Sequence, residues 1–197
     1  MEFAHFLVIV ATIISLFGAS FYIKDTLKGT TKPNRVSWFF WAFIPLLGVT
    51  ASISNGADLW ASFRVFIAGL IPLMVFLASF VNRNSYWKLT KLDIICGLFC
   101  IAGIVIWAFI DSPKLAIVIF ATADGFAALP TIVKAWKFPE TETKLTYIAA
   151  SISMIIVIPS IPVWNIENAA FQVYLMVVNT LLLFAVYRKS ILKYFKS

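Results

Sequence analysis

Charged side chains are scarce in this chain. They make up 13% of its 197 residues, whereas 61% of the residues are hydrophobic. An ordinary soluble domain is about 25% charged and about 45–50% apolar. No single soluble core can bury so much apolar side chain, so the composition excludes an ordinary soluble domain and indicates an integral membrane protein.

Histidine and cysteine are nearly absent. The single histidine, His5, excludes an HExxH metal motif and a Ser–His catalytic pair. Cys96 and Cys100 lie four residues apart on one helix face, which favours packing over a disulfide or a metal site. The last apolar run contains no lysine for a Schiff base with retinal. We therefore expect no enzyme, no cofactor and no metal.

Long apolar runs dominate what remains. A transmembrane helix needs roughly 20 mostly apolar residues. These runs are continuously apolar rather than alternating, which favours helices over a β-barrel. The first run has no basic leader and no cleavage site, so we expect it to be retained. Seven spans are predicted, at residues 3–24, 36–54, 60–81, 92–110, 114–135, 145–163 and 169–187.

The basic residues are distributed unevenly. The net charge is +7, and 14 of the 16 Lys and Arg residues lie after the first, third and fifth runs or at the C-terminus. Only Arg64 and Lys114 lie on the other side. By the positive-inside rule the N-terminus is outside and the C-terminus is cytoplasmic, in a multi-pass protein of the cell membrane. This pattern explains the charge without a nucleic-acid partner.

A weak internal repeat relates the two halves. A shift of 109 residues aligns Lys28 with Lys137 and Trp38 with Tyr147, without a gap. Spans one to three then match spans five to seven, and the fourth span has no counterpart. A parallel repeat with one extra crossing is known in some transporters. We predict an all-α, 3+1+3 membrane protein: a triple-helix bundle at 1–84, a linker helix at 85–112 and a second triple-helix bundle at 113–197.

The segment LPTIVKAWKFPETETKLTYIAAS resembles the PQ-loop and SWEET transporter pattern. Pro130, Ile132 and Lys134 fit that pattern, and Thr131 stands where the glutamine would be. The segment MVVNTLLLF is similar to the SWEET segment whose intramembrane asparagine contacts substrate, here Asn179. The resemblance implies seven helices and transport of a small solute.

The positions of the prolines in this chain differ from those of the family pattern. Relatives that carry sugars have a proline at four equivalent positions, and by the alignment only Pro130 is kept. Pro45 and Pro159, elsewhere in the spans, supply kinks by loss of a backbone hydrogen bond. We therefore expect gating hinges at Pro130, Pro45 and Pro159, and a sugar substrate is not assumed.

Asp124 is the most unusual residue of the apolar runs. It lies about 15 Å from both Lys114 and Lys134 along a helix, which places it at the bilayer midplane. A charged residue there costs at least about 2.5–3.5 kcal/mol, so it should face a cavity or a partner. Asn179 lies at a similar depth. The pair either lines a common solute site or joins neighbouring helices by hydrogen bonds.

Two tryptophans extend this predicted site. Most Trp and Tyr residues lie near span ends, which is typical of interface belts. Trp41 lies deeper and is a candidate cavity wall. In the sugar-carrying relatives a sixth-helix tryptophan stacks on the ligand, and Trp164 is the nearest equivalent, although it lies close to the outer face.

These observations favour a small-solute transporter with its site between the two triple-helix bundles. The solute class stays open among sugars, vitamins, nucleosides and amino acids, as do proton coupling through Asp124, facilitated diffusion and a homo-oligomer. The alternative is a ligand-sensing receptor or partner-binding protein on the same plan, which would bind without flux. Short loops leave little room for a docking domain, and this counts against the alternative.

Overall fold

The computed structural model of the chain describes residues 2–54, 59–161 and 163–194. Over these ranges the chain is all-helical and contains seven α-helices, each on one predicted apolar run, so the all-α, seven-helix prediction is confirmed. The helices are α1 Glu2–Lys28, α2 Arg35–Ser54, α3 Leu59–Ala78, α4 Lys91–Trp107, α5 Pro113–Lys137, α6 Lys144–Val157 and α7 Ile166–Tyr194.

Three of the helices are long and apolar enough to cross a membrane. Within the described part of the chain these segments are Glu2–Lys28, Lys114–Lys137 and Ala169–Leu192. Length limits two of the other helices, since α4 has 17 residues and α6 has 14. At 1.5 Å per residue they cover roughly 26 and 21 Å, short of about 30 Å of hydrocarbon. Seven crossings therefore remain a prediction.

Local side-chain bonds set the starts of two helices. The Asn34 side-chain oxygen accepts hydrogen bonds from the backbone N–H groups of Val36 and Ser37, which begins α2. Thr90 and Asp93 form a capping box that begins α4. These caps satisfy backbone donors that have no partner inside the helix.

Helix ends recur at a constant spacing. Helix α1 ends at Lys28 and α5 ends at Lys137, 109 positions later. Helix α2 begins at Arg35 and α6 begins at Lys144, again 109 positions later. The spacing equals the shift that aligns the two halves of the sequence.

Six helices pack side by side in a closed ring. Around the ring α1 contacts α6, α6 contacts α7, α7 contacts α5, α5 contacts α2, α2 contacts α3, and α3 returns to α1. Helix α4 packs against two neighbouring members of the ring, α5 and α2. The ring therefore brings helices of the first half against helices of the second half at two places, α1 on α6 and α2 on α5.

The distribution of side chains is inverted relative to that of a soluble protein. Large apolar residues are exposed, as at Ile13 of α1 (61%), Leu98 of α4 (60%) and Phe184 of α7 (51%). Polar and charged residues are buried instead. The buried ones include Asn34, Asp93, Asp124, Lys134, Glu142, Ser153 and Asn179.

The predicted hinge prolines occupy different kinds of position. Pro45 lies within α2 and Pro130 within α5. Helix α5 continues past Pro130 to Lys137, so this proline lies inside the helix and does not end it. Pro159 lies in the 3-10 turn Ile158–Ser160, directly after α6.

Candidate functional site

Asp124 faces the inside of the ring. Its carboxylate accepts a hydrogen bond of 2.8 Å from the Tyr174 hydroxyl on α7, and it also interacts with the Trp41 side chain on α2. Helices α7 and α2 are the two ring neighbours of α5, and a side chain that reaches both points inward. Asp124 is only 3% exposed. The structure thus brings together two predicted site residues, Asp124 and Trp41.

Aromatic rings connect this site to the basic end of the molecule. Trp41 packs edge-on against Trp38, with ring centroids 5.2 Å apart, and Trp38 lies 4.7 Å from the Tyr22 ring. These rings come from α1 and α2, which do not pack along their lengths. The aromatic contacts fill the space between the two helices.

Asn179 has partners of its own. Its amide donates to the Tyr147 carbonyl oxygen at 3.2 Å and to the Ser151 hydroxyl at 2.6 Å, both on α6. Among the described residues no hydrogen bond joins Asn179 to Asp124. In this conformation the Asn179 amide ties α7 to α6, as the helix-contact interpretation expects.

Trp164 lies apart from the other predicted residues. It follows the 3-10 turn after α6, and 63% of its surface is exposed. The structure therefore does not bring it to the buried carboxylate of Asp124.

A buried ionic cluster closes the ring at its basic end. Lys134 of α5 forms an ion pair of 2.6 Å with Glu142, and the two side chains are 1% and 0% exposed. The hydroxyls of Tyr22 on α1 and Tyr147 on α6 each donate to Glu142 at 2.8 Å. We call Tyr22, Lys134, Glu142 and Tyr147 the Glu142 cluster. It joins α1, α5 and α6 through one carboxylate.

Sequence reasoning did not find the Glu142 cluster. Glu142 lies in a short loop with Glu140, and the two acids look alike in the sequence. Glu140 instead pairs with Lys189 at the surface, where these side chains are 60% and 56% exposed. Only the path of the loop across the end of the ring distinguishes them.

A cavity of about 150 Å³ lies between α1, α3, α6 and α7. Its polar lining consists of Thr12, Ser15, Ser153 and Gln172. The Ser15 hydroxyl donates to the Ser153 hydroxyl at 2.8 Å, which joins the first and second halves. The remaining lining is apolar and comprises Val8, Ala11, Ile67, Ala68, Ile71, Met154, Val157 and Leu175.

Among the described residues no group of three or more His, Cys, Asp or Glu side chains is placed to hold a metal ion. Comparison of the chain with family models, curated proteins and solved structures gives no match. The resemblance to PQ-loop and SWEET transporters therefore rests on the sequence segments alone.

Proposed function

We propose that this chain is a multi-pass membrane protein that transports a small solute by alternating access, on the 3+1+3 plan of the PQ-loop and SWEET transporters. The observation that carries the proposal is the ring of six helices, with apolar side chains on its outside and polar side chains within it. Such a ring provides an enclosed path between two halves that can move against each other.

The membrane location is supported by the inverted surface. Exposed Leu98, Phe99 and Ile101 on α4 would aggregate in water but suit a hydrocarbon environment. Buried Asp124 and Asn179 suit a protein interior within that environment. The basic loops then place the N-terminus outside and the C-terminus in the cytoplasm.

The repeat is supported by packing as well as by helix ends. The contacts α1–α3, α2–α3 and α1–α6 correspond to α5–α7, α6–α7 and α5–α2. Gly18 and Ala149 meet where α1 crosses α6, and the residues 109 positions away, Ala127 and Phe40, share a core cluster of α5 and α2. Each half supplies one three-helix unit, and α4 connects them.

In this proposal, the structure represents a conformation in which the solute path is closed at the cytoplasmic end. The Glu142 cluster holds α1, α5 and α6 together there, so opening must separate Tyr22 from Glu142. Pro130 lies about one helical turn before Lys134, where the missing backbone hydrogen bond would let α5 bend. Pro45 in α2 and Pro159 after α6 remain proposed hinges at other positions along the ring.

Asp124 is the proposed functional carboxylate. It contacts the solute directly or carries a proton coupled to transport, with Tyr174 and Trp41 as its partners in this conformation. Ser15 occupies on α1 the position that Asp124 occupies on α5, and both face into the ring. Asn179 and Trp164 remain predicted solute contacts. For these side chains to reach the solute, α6 would have to move against α7.

The test is counterflow in proteoliposomes with labelled sugars, vitamins, nucleosides and amino acids. We expect accumulation of at least one class and a loss of at least ten-fold in the rate with Asp124→Asn. Asp111→Asn, an exposed acid in the α4–α5 connection, is the matched control and should keep the wild-type rate. Binding without flux would favour the receptor alternative, and flux unaffected by Asp124→Asn would remove Asp124 from the site.

A further inference from the structure

We propose that the cavity between α1, α3, α6 and α7 binds a small uncharged polyol. The proposal goes beyond the proposed function, because it names a chemical class of ligand and a second site for it that does not include Asp124. The polar atoms are supplied by Ser15, Ser153 and Gln172.

Charge is the first selective feature. Among the described side chains that line the cavity there is no Asp, Glu, Lys, Arg or His, and most of them are aliphatic. An ion without a partner in such surroundings loses far more hydration than a neutral polar group loses. This described part of the lining therefore favours neutral solutes over charged ones.

Hydrogen-bond direction is the second feature. The Ser153 hydroxyl donates to the Ala11 carbonyl oxygen at 2.9 Å, so the bond between the two serines must be donated by Ser15. Both serine protons are thus engaged, and only acceptor lone pairs remain for a ligand. The Thr12 hydroxyl donates its proton to the Val8 carbonyl oxygen. A ligand must therefore donate protons to the serines.

Gln172 supplies the complementary group. Its half-buried amide lines the cavity, and no described residue forms a hydrogen bond with it. The amide offers two donors and one acceptor. A molecule with several hydroxyls donates to Ser15 and Ser153 and also accepts from Gln172, whereas an ether can only accept.

The volume limits the size. A cavity of about 150 Å³ holds a molecule of the size of benzene, about six non-hydrogen atoms. Glycerol fits within this volume, whereas a ring sugar would extend beyond it. We expect the affinity to fall from glycerol to erythritol to glucose.

The experiment measures binding to the detergent-purified full chain by saturation-transfer NMR. The probes are glycerol, its anionic relative glycerate and the acceptor-only 1,2-dimethoxyethane. Glycerol should bind with a Kd at least ten-fold lower than the Kd of either other probe. Equal binding of glycerate or of 1,2-dimethoxyethane, or no binding of glycerol, would overturn the proposal.

Matched variants locate the site. Gln172→Leu and Ser15→Ala should each raise the glycerol Kd about five-fold, as loss of one hydrogen bond predicts. Thr180→Val and Ser20→Ala are controls on the same two helices, since both hydroxyls are exposed and bond to their own helix. Thermal unfolding checks that all four variants fold, and unchanged binding by folded Gln172→Leu would contradict the assignment.

Osmotic swelling of proteoliposomes separates this inference from the proposed function. Glycerol binding without protein-dependent swelling would support the cavity as a binding site and would exclude glycerol as a transported solute. Swelling in glycerol that folded Gln172→Leu leaves unchanged supports transport and overturns the cavity assignment.

Discussion

The Glu142 carboxylate accepts three hydrogen bonds at the basic end of the ring. It accepts from Lys134, Tyr22 and Tyr147 in full burial. Removal of one member of a buried ion pair leaves the other charge without compensation, which typically costs about 3–5 kcal/mol. The cluster therefore links the position of α1 to that of α5 and α6.

At this scale we predict that Lys134→Met and Glu142→Gln each lower the free energy of unfolding by about 3–5 kcal/mol. The double variant should lose less than the sum of the two, because neither charge is then left alone. Denaturant unfolding in detergent micelles measures the three values.

The exposed ion pair of Lys189 and Glu140 provides the control for these single and double variants. Lys189 and Glu140 are 3.0 Å apart but 56% and 60% exposed. Lys189→Met and Glu140→Gln should change stability by only about 0–1 kcal/mol, since solvent screens an exposed pair. Equal effects of the two sets of variants would show that the Glu142 cluster does not stabilise the fold.

At the scale of helices, α1 and α6 approach each other closely at Gly18. A Cβ atom on Gly18 would lie 2.5 Å from the Ala149 Cβ, a distance that real side chains do not adopt. The Thr146 hydroxyl donates to the Gly18 carbonyl oxygen at 2.8 Å across the same contact. Small residues let two helix backbones approach in this way, and the hydrogen bond depends on that approach.

We predict that Gly18→Ala destabilises the protein by about 1–3 kcal/mol, because the two helices must separate. The gain in helix propensity from Gly to Ala, about 1 kcal/mol, does not offset that loss. Gly48→Ala is the matched control in α2, where the nearest described atom to a new Cβ is 3.9 Å away. Thermal unfolding compares the two, and a stable Gly18→Ala variant would contradict the close packing of α1 on α6.

At the scale of the whole molecule, the proposed sidedness rests on the basic loops and on the seven predicted crossings. In a background with Cys96→Ala and Cys100→Ala, Asp111→Cys and Lys28→Cys each place one thiol at an exposed position. We predict that a membrane-impermeant maleimide labels Asp111→Cys on intact cells and labels Lys28→Cys only after permeabilisation. The opposite result would reverse the orientation, and equal labelling of both would argue against a membrane-spanning arrangement.

One residue of the candidate site, Asp124, could be predicted from the sequence because of the free-energy cost of its position. A carboxylate in an apolar run is costly enough to require a partner, so Asp124 stands out without coordinates. Serine and glutamine carry no such signal. Ser15, Ser153 and Gln172 are of ordinary types for a helix, and only the packing of four helices brings them to one cavity.

The sequence by itself determined the all-helical class and the positions of the seven helices, because hydropathy and helix length are local properties of consecutive residues. Tertiary structure decided which polar residues meet: Tyr22 reaches Glu142 across 120 positions, and Ser15 reaches Ser153 across 138. It also separated Asn179 and Trp164 from Asp124 in this conformation. The physical reason is that these contacts depend on the order of helices around the ring, and hydropathy, being nearly uniform over the spans, carries little information about that order.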